Sequence, residues 1–198
     1  MLVTSASAAP GGDVVAQLER ALAGIAPGTV LVQVREKQLG GRDLVALVSR
    51  VVAVAHARGA RVVVNDRVDV ALACGADGAH LPESGFGVAE ARALLPARSL
   101  VGASVHDAAG ARARRDASYL LMGPVWDSPG KRASGVDALR DAVAAAAGTP
   151  VFAVGGLDPD RAVLARGCGA WGVAVIRAVM AAADPEAVTA RLAEAVSR

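Results

Sequence analysis

The amino-acid sequence predicts an α/β fold, a single compact (β/α)8 TIM barrel that spans residues 1–198 as one domain. Three observations lead there. Eight short runs rich in β-branched and apolar residues alternate with Ala/Leu/Arg-rich segments of helical period, the pattern of parallel strands wrapped by helices. A length of 198 residues holds eight such units and leaves no room for a second core. The unusual polar residues fall directly after the predicted strands, where a barrel gathers its active-site loops; a doubly wound open sheet, the nearest rival, would gather fewer of them.

The predicted strands, in order, are LVT near Leu2, TVLVQV from Thr29, RVVVN from Arg61, GAHL from Gly78, LVGAS from Leu100, YLLMG from Tyr119, VFAVG from Val151 and WGVAV from Trp171. Between them run helical stripes. Val15, Leu18, Leu22 and Ile25 step by three or four residues, as do Leu44, Leu47, Val51 and Val54, and Val188, Leu192 and Val196 keep the same face at the end of the chain. Asp13 and Asp107 stand where N-caps are expected, and Asp158-Pro159 reads as a cap followed by a proline at the first helical position.

Composition narrows the function classes. With 54% hydrophobic but only 3% aromatic residues, the core must be built from Ala, Val and Leu, which suits helices on a parallel sheet. A net charge of +2 with interspersed signs gives no basic stripe, so nucleic acid and membrane surfaces are not expected partners. No run suits a signal peptide or a transmembrane span, and a cytoplasmic location is expected. Cys74 and Cys168 are far apart, with no CxxC, and read as reduced thiols beside helices.

The candidate chemistry lies in the post-strand segments. VQVREK sets Gln33, Arg35 and Lys37 at alternate positions, so that on a strand they share one face and suit an anion such as a diphosphate. The bland alternative is a solvated strand end with a Glu36 surface pair. In VNDR, Asn65 and Asp66 end a buried strand; Asp66 either caps the following helix or holds Mg2+ together with substrate oxygens, and the two roles are compatible. Gly155 and Gly156 precede a helix, where barrels often bind phosphate, and Ile176 and Arg177 follow the last strand in the same way.

MGPVWDSPGKRASG is too long for a plain link and reads as a binding loop, with Lys131 its residue best suited to phosphate. Trp126 in it would cover a flat ring or simply pack. His80 and His106 follow strands and are candidates for proton work, though lone histidines are more often structural; His56 reads as a surface residue.

As a set, VQVREK, VVNDRVDVALACGADGAHL, GASVH, MGPVWDSPGK, VFAVGG and WGVAVIRAV, in this order from about Val32 to Met180, resemble the thiamine phosphate synthase and TenI superfamily. The resemblance implies a barrel that joins a hydroxymethylpyrimidine diphosphate to a thiazole phosphate, with Mg2+ as cofactor and phosphorylated small molecules as partners; a homo-oligomer is compatible with it. It implies that Gln33, Arg35 and Lys37 hold the pyrimidine diphosphate with help from Asn65, and that Asp66 ligates the metal. Arg35, Ser104 and Lys131 are the implied catalytic set, His106 joins the substrate site, and Gly155, Gly156, Ile176 and Arg177 are the expected holders of the thiazole phosphate.

The chain also departs from that pattern. The synthases usually carry a second metal carboxylate where Gly85 stands here, which implies a weakened metal site unless Glu83 reaches the ion from two residues away. The threonines expected before the lysine are reduced to Ser128 and Gly130, and the opening strand lacks the usual LVTD. HLPESGFGVAEARALLPARSLVGASVH looks more like the TenI branch, which includes a thiazole tautomerase, yet that enzyme's catalytic histidine falls at Pro124. The retained cations favour the synthase; a TenI-like isomerase using His106 or Glu83, and a non-catalytic binder of thiazole or thiamine phosphate, are the alternatives.

Overall fold

A computed structural model describes residues 1–197. Eight strands, β1 (Leu2–Val3), β2 (Leu31–Val34), β3 (Arg61–Asn65), β4 (Gly78–Leu81), β5 (Leu100–Val105), β6 (Tyr119–Met122), β7 (Val151–Val154) and β8 (Gly172–Ala174), pair in sequence order and all in parallel. The first and last edges meet. Val3 N–H donates to the Val175 carbonyl at 2.9 Å and Val175 N–H to that of Met1 at 3.1 Å, which draws the sheet into a barrel.

Helices α1 (Val14–Ala21), α2 (Gly41–Ala57), α3 (Val68–Ala73), α4 (Val88–Leu94), α5 (Ala108–Ala113), α6 (Gly135–Ala145), α7 (Pro159–Gly167), α8 (Arg177–Met180) and α9 (Pro185–Ser197) follow the strands. The expected caps form: Asp13 accepts from Val15 and Ala16, Asp107 from Gly110, and Asp158 from Arg161 with Pro159 opening the helix. In α2 the buried stripe is Leu44, Val48, Val51 and Ala55, so the apolar face is centred slightly off the predicted row. Ile25 lies beyond α1, which ends at Ala21. Likewise β2 begins at Leu31 rather than Thr29, because the Thr29 N–H is held in a turn by the Ala26 carbonyl at 3.2 Å.

Two packed regions result. The larger lies between sheet and helices and is built almost wholly of Val, Ala and Leu, as the low aromatic content requires. The smaller fills the barrel and includes Val3, Leu121 and Ala174 with Phe152 against them. Large rings enter the barrel only because glycine faces them: a Cβ on Gly102 would lie 2.0 Å from the Tyr119 ring, and one on Gly172 2.9 Å from the Phe152 ring. Among the described residues, no helix is long and apolar enough to cross a membrane.

Candidate active site

The strand ends open into a cavity of about 530 Å³ at the C-terminal mouth of the barrel. Arg35, Asn65 and Ser104 line one arc of it, from β2 to β5, and His106 and Lys131 continue that arc. Gly155, Gly156, Ile176 and Arg177 line the arc after β7 and β8. Gln33 forms part of the floor, but with only 1% exposure it is closer to a core residue than to a free substrate ligand.

Local bonds fix the cationic wall. The backbone N–H of Arg35 donates to Thr4 Oγ1 at 2.9 Å, while both Glu36 carboxylate oxygens accept from Ala6 N–H at 3.0 and 3.1 Å. Glu36 thus bolts the end of β2 to the loop after β1 instead of forming the surface ion pair that was its alternative. Because β2 ends at Val34, strand alternation does not extend to Lys37; that residue is exposed in a turn and is not among the cavity-lining residues.

Asp66 does not cap α3. The N-cap of that helix is Arg67, without a side-chain cap bond, and Arg67 pairs with Asp69 instead. Asp66 itself sits in the left-handed region at φ 66°, with its N–H donating to the His80 carbonyl at 2.8 Å. A non-glycine residue held there is uncommon, and such positions gather at ligand sites. Its Oδ1 lies 3.0 Å from where a Cβ on Gly85 would be, so position 85 faces this carboxylate at close range. A single carboxylate is compatible with Mg2+, which commonly takes one or two carboxylates and completes its shell with phosphate oxygens and water, although Asp66 is not itself among the cavity-lining residues. Among the described residues no three His, Cys, Asp or Glu side chains gather as a metal cluster.

Glu83 is exposed, and its carboxylate lies 3.6 Å from His106 Nε2. The loop that carries it is pinned by Arg114, which donates to the carbonyls of Pro82 at 3.1 Å and Glu83 at 2.6 Å. His106 Nδ1 lies 2.5 Å from the Gly123 carbonyl and must donate to it, which turns Nε2 toward Glu83.

The phosphate-type loop and the long β6–α6 loop are packed together. Gly155 and Gly156 both have positive φ, 101° and 61°, and a Cβ on either would meet Pro124 at 2.5 Å or the Asp127 carbonyl at 2.6 Å. These glycines are therefore more than a tight turn. Within the long loop, Ser128 and Lys131 bond to each other across a tight turn, and Asp127 accepts from Ala133 N–H at 2.8 Å. Arg161 of α7 donates to the Gly156 carbonyl at 2.5 Å and holds its guanidinium carbon 5.8 Å from the Trp126 ring centre, so Trp126 packs under a cation.

His80 is buried at 1% exposure, and burial, followed by the charges of Arg35 and Arg114, pushes its pKa down to about 3. It is neutral at physiological pH. Its partners are Ser104 and Tyr119, and nothing in the sequence singles out Tyr119, since a lone tyrosine in an apolar strand reads as core. His56, expected on the surface, pairs with Asp77 at 2.8 Å, and Asp77 also accepts from Val62 N–H, so it ties α2 to β3. Cys74 and Cys168 are free thiols, Cys168 buried and Cys74 partly so.

With this geometry in place, the sequence profile of the thiamine monophosphate synthase family matches residues 1–179. The chain belongs to that family. It is 40% identical to a thiamine-phosphate synthase from Gloeobacter violaceus over 100% of this chain and 57% of that one. A thiamine-phosphate synthase from a Mycobacterium species is 36% identical over 93% of this chain and 87% of its own length. Among solved structures, a thiamine phosphate pyrophosphorylase from Pyrococcus furiosus superposes with a TM-score of 0.88 at 31% identity, covering 99% of this chain and 94% of that one. Family membership accounts for the barrel, the order of its motifs and the cavity at its C-terminal mouth.

Proposed function

We propose that the protein is a transferase of thiamine biosynthesis, a thiamine-phosphate synthase that couples hydroxymethylpyrimidine diphosphate to thiazole phosphate and releases diphosphate. One observation carries this reading beyond family membership: a single cavity is lined by cations on the β2–β6 arc and by a glycine-rich loop on the β7–β8 arc, giving two places for two phosphorylated substrates. The isomerase alternative has less support. Pro124 lines the cavity where that branch has its catalytic base, and proline carries no titratable proton.

In this reading Arg35 and Lys131 face the diphosphate, with Asn65 and Ser104 as hydrogen-bond donors. The carbon–oxygen bond to the pyrimidine methylene breaks and its electron pair leaves with diphosphate; the thiazole nitrogen then donates its own pair to the methylene to form the new carbon–nitrogen bond. The cations favour this step because they meet charge that grows on the leaving group. Gly155, Gly156 and the backbone at Ile176 and Arg177 hold the thiazole phosphate, as backbone N–H groups suit an anion. Asp66 would hold Mg2+, with Glu83 as the candidate second carboxylate, and the ion when bound would supply positive charge for the diphosphate.

The test is to incubate the protein with both substrates and Mg2+ and to measure thiamine phosphate by mass spectrometry. Product is expected, and Asp66→Ala lowers turnover by about 100-fold or more, the scale for losing one group that stabilises developing charge. Absence of product from the unaltered protein, with thiazole phosphate still bound, would transfer the assignment to the binder.

A further inference from the structure

Inside the barrel, three polar side chains form a line that ends at the cavity. Tyr119 Oη lies 3.1 Å from His80 Nδ1, and His80 Nε2 lies 2.9 Å from Ser104 Oγ, while Gln33 Nε2 donates to Met1 Sδ at 3.8 Å. Gln33, His80 and Tyr119 are at most 3% exposed, while Ser104 reaches the cavity. His80 also stacks on Tyr119, with ring centres 5.7 Å apart at 24°, and Phe152 meets Tyr119 edge-on at 5.6 Å. Polar groups in a barrel interior are expensive unless each is satisfied, and here each member of the line has a partner.

The proton count along the line gives it a direction. Burial raises the Tyr119 pKa, so the phenol keeps its single proton, and among the described residues the hydrogen-bond partner of that buried hydroxyl is His80 Nδ1. The phenol proton is left for His80 Nδ1. A neutral imidazole that accepts at Nδ1 carries its proton on Nε2, which then donates to Ser104 Oγ. The Ser104 hydroxyl proton has no partner inside the barrel and turns to the cavity.

We infer that Tyr119 and His80 are positioning residues that fix Ser104 as a hydrogen-bond donor toward an anionic oxygen of the diphosphate substrate. The inference rests on the proposed synthase reading and deepens it. A free serine hydroxyl presents either a proton or a lone pair, and near Arg35 and Lys131 only the first is useful to an anion. Setting the hydroxyl before the substrate arrives removes that ambiguity.

Two measurements test it. Nuclear magnetic resonance of the protein carrying isotope-labelled histidine reads the tautomer of His80 directly, its signals picked out from the three histidines by their loss in His80→Gln. The Nε2–H tautomer is expected, and the Nδ1–H tautomer would overturn the inference. This readout needs no folded Tyr119 variant.

The second is a double-mutant cycle on turnover and on the Kd of inorganic diphosphate. Tyr119→Phe alone is expected to weaken both by about threefold to tenfold, the scale of one hydrogen bond, with the KM for thiazole phosphate unchanged. On a Ser104→Ala background the same substitution is expected to cost less than about twofold. Equal losses on both backgrounds would show that Tyr119 acts by packing and would overturn the inference. If the unaltered protein binds diphosphate but makes no thiamine phosphate, the synthase reading fails while the binding cycle still decides this one; no diphosphate binding overturns both.

Discussion

At position 85 a glycine stands where a second carboxylate would face Asp66. Its Cβ position is 3.0 Å from Asp66 Oδ1 and 3.0 Å from Pro82 Cγ, tight but open to a shift of a few tenths of an ångström. Gly85→Asp is therefore expected to fold and to lower the Mg2+ concentration for half-maximal turnover by about tenfold, because ligand charge count sets cation affinity. A Mg2+ titration of the rate checks this, and an unchanged midpoint would mean that position 85 does not face the ion. At this scale the sequence was informative where side chains follow strands directly. Arg35, Ser104, Gly155 and Gly156 line the cavity as their positions imply, whereas Lys37 lies beyond the end of β2, where alternation no longer governs direction. The Tyr119–His80–Ser104 line was not legible, since it depends on the register of β4, β5 and β6, which sets His80 and Tyr119 level on either side of Gly102.

Among elements, the contact between the β6–α6 loop and the β7–α7 loop has the clearest consequence for binding. Arg161 holds both: it bonds the Gly156 carbonyl and lies over Trp126. Arg161→Ala is expected to raise the KM for thiazole phosphate by about threefold to tenfold, the scale of one charged hydrogen bond plus a cation–π contact, and to change kcat less. Steady-state kinetics with each substrate varied in turn would reveal the split; a loss confined to kcat would count against it. Strand limits were largely legible because each β-branched run is bounded by turn residues, and the β3 and β4 limits match the sequence reading residue for residue. The inner bonds of the β6–α6 loop were not, because a Gly/Pro/Ser-rich stretch signals irregular chain without saying what it packs on.

For the whole molecule, the polar barrel interior links stability to pH through His80. Its pKa is near 6.5 when the chain is unfolded and about 3 when folded, so as pH falls below 6.5 the unfolded state takes up the proton first. The stabilisation is full above 6.5 and is lost progressively as pH falls toward 3. Urea midpoints are expected to fall by the equivalent of about 2–3 kcal/mol between roughly pH 7.5 and pH 4.5, and His80→Gln should flatten that slope. A variant with the same slope would place the linkage on other groups. A final consequence follows from a packing detail: Gly102 makes room for Tyr119, and Tyr119 is the only tyrosine in the chain. Fluorinated tyrosine supplied during expression would thus label the centre of the barrel and nothing else, giving one spectral line that senses from below when the mouth above it fills.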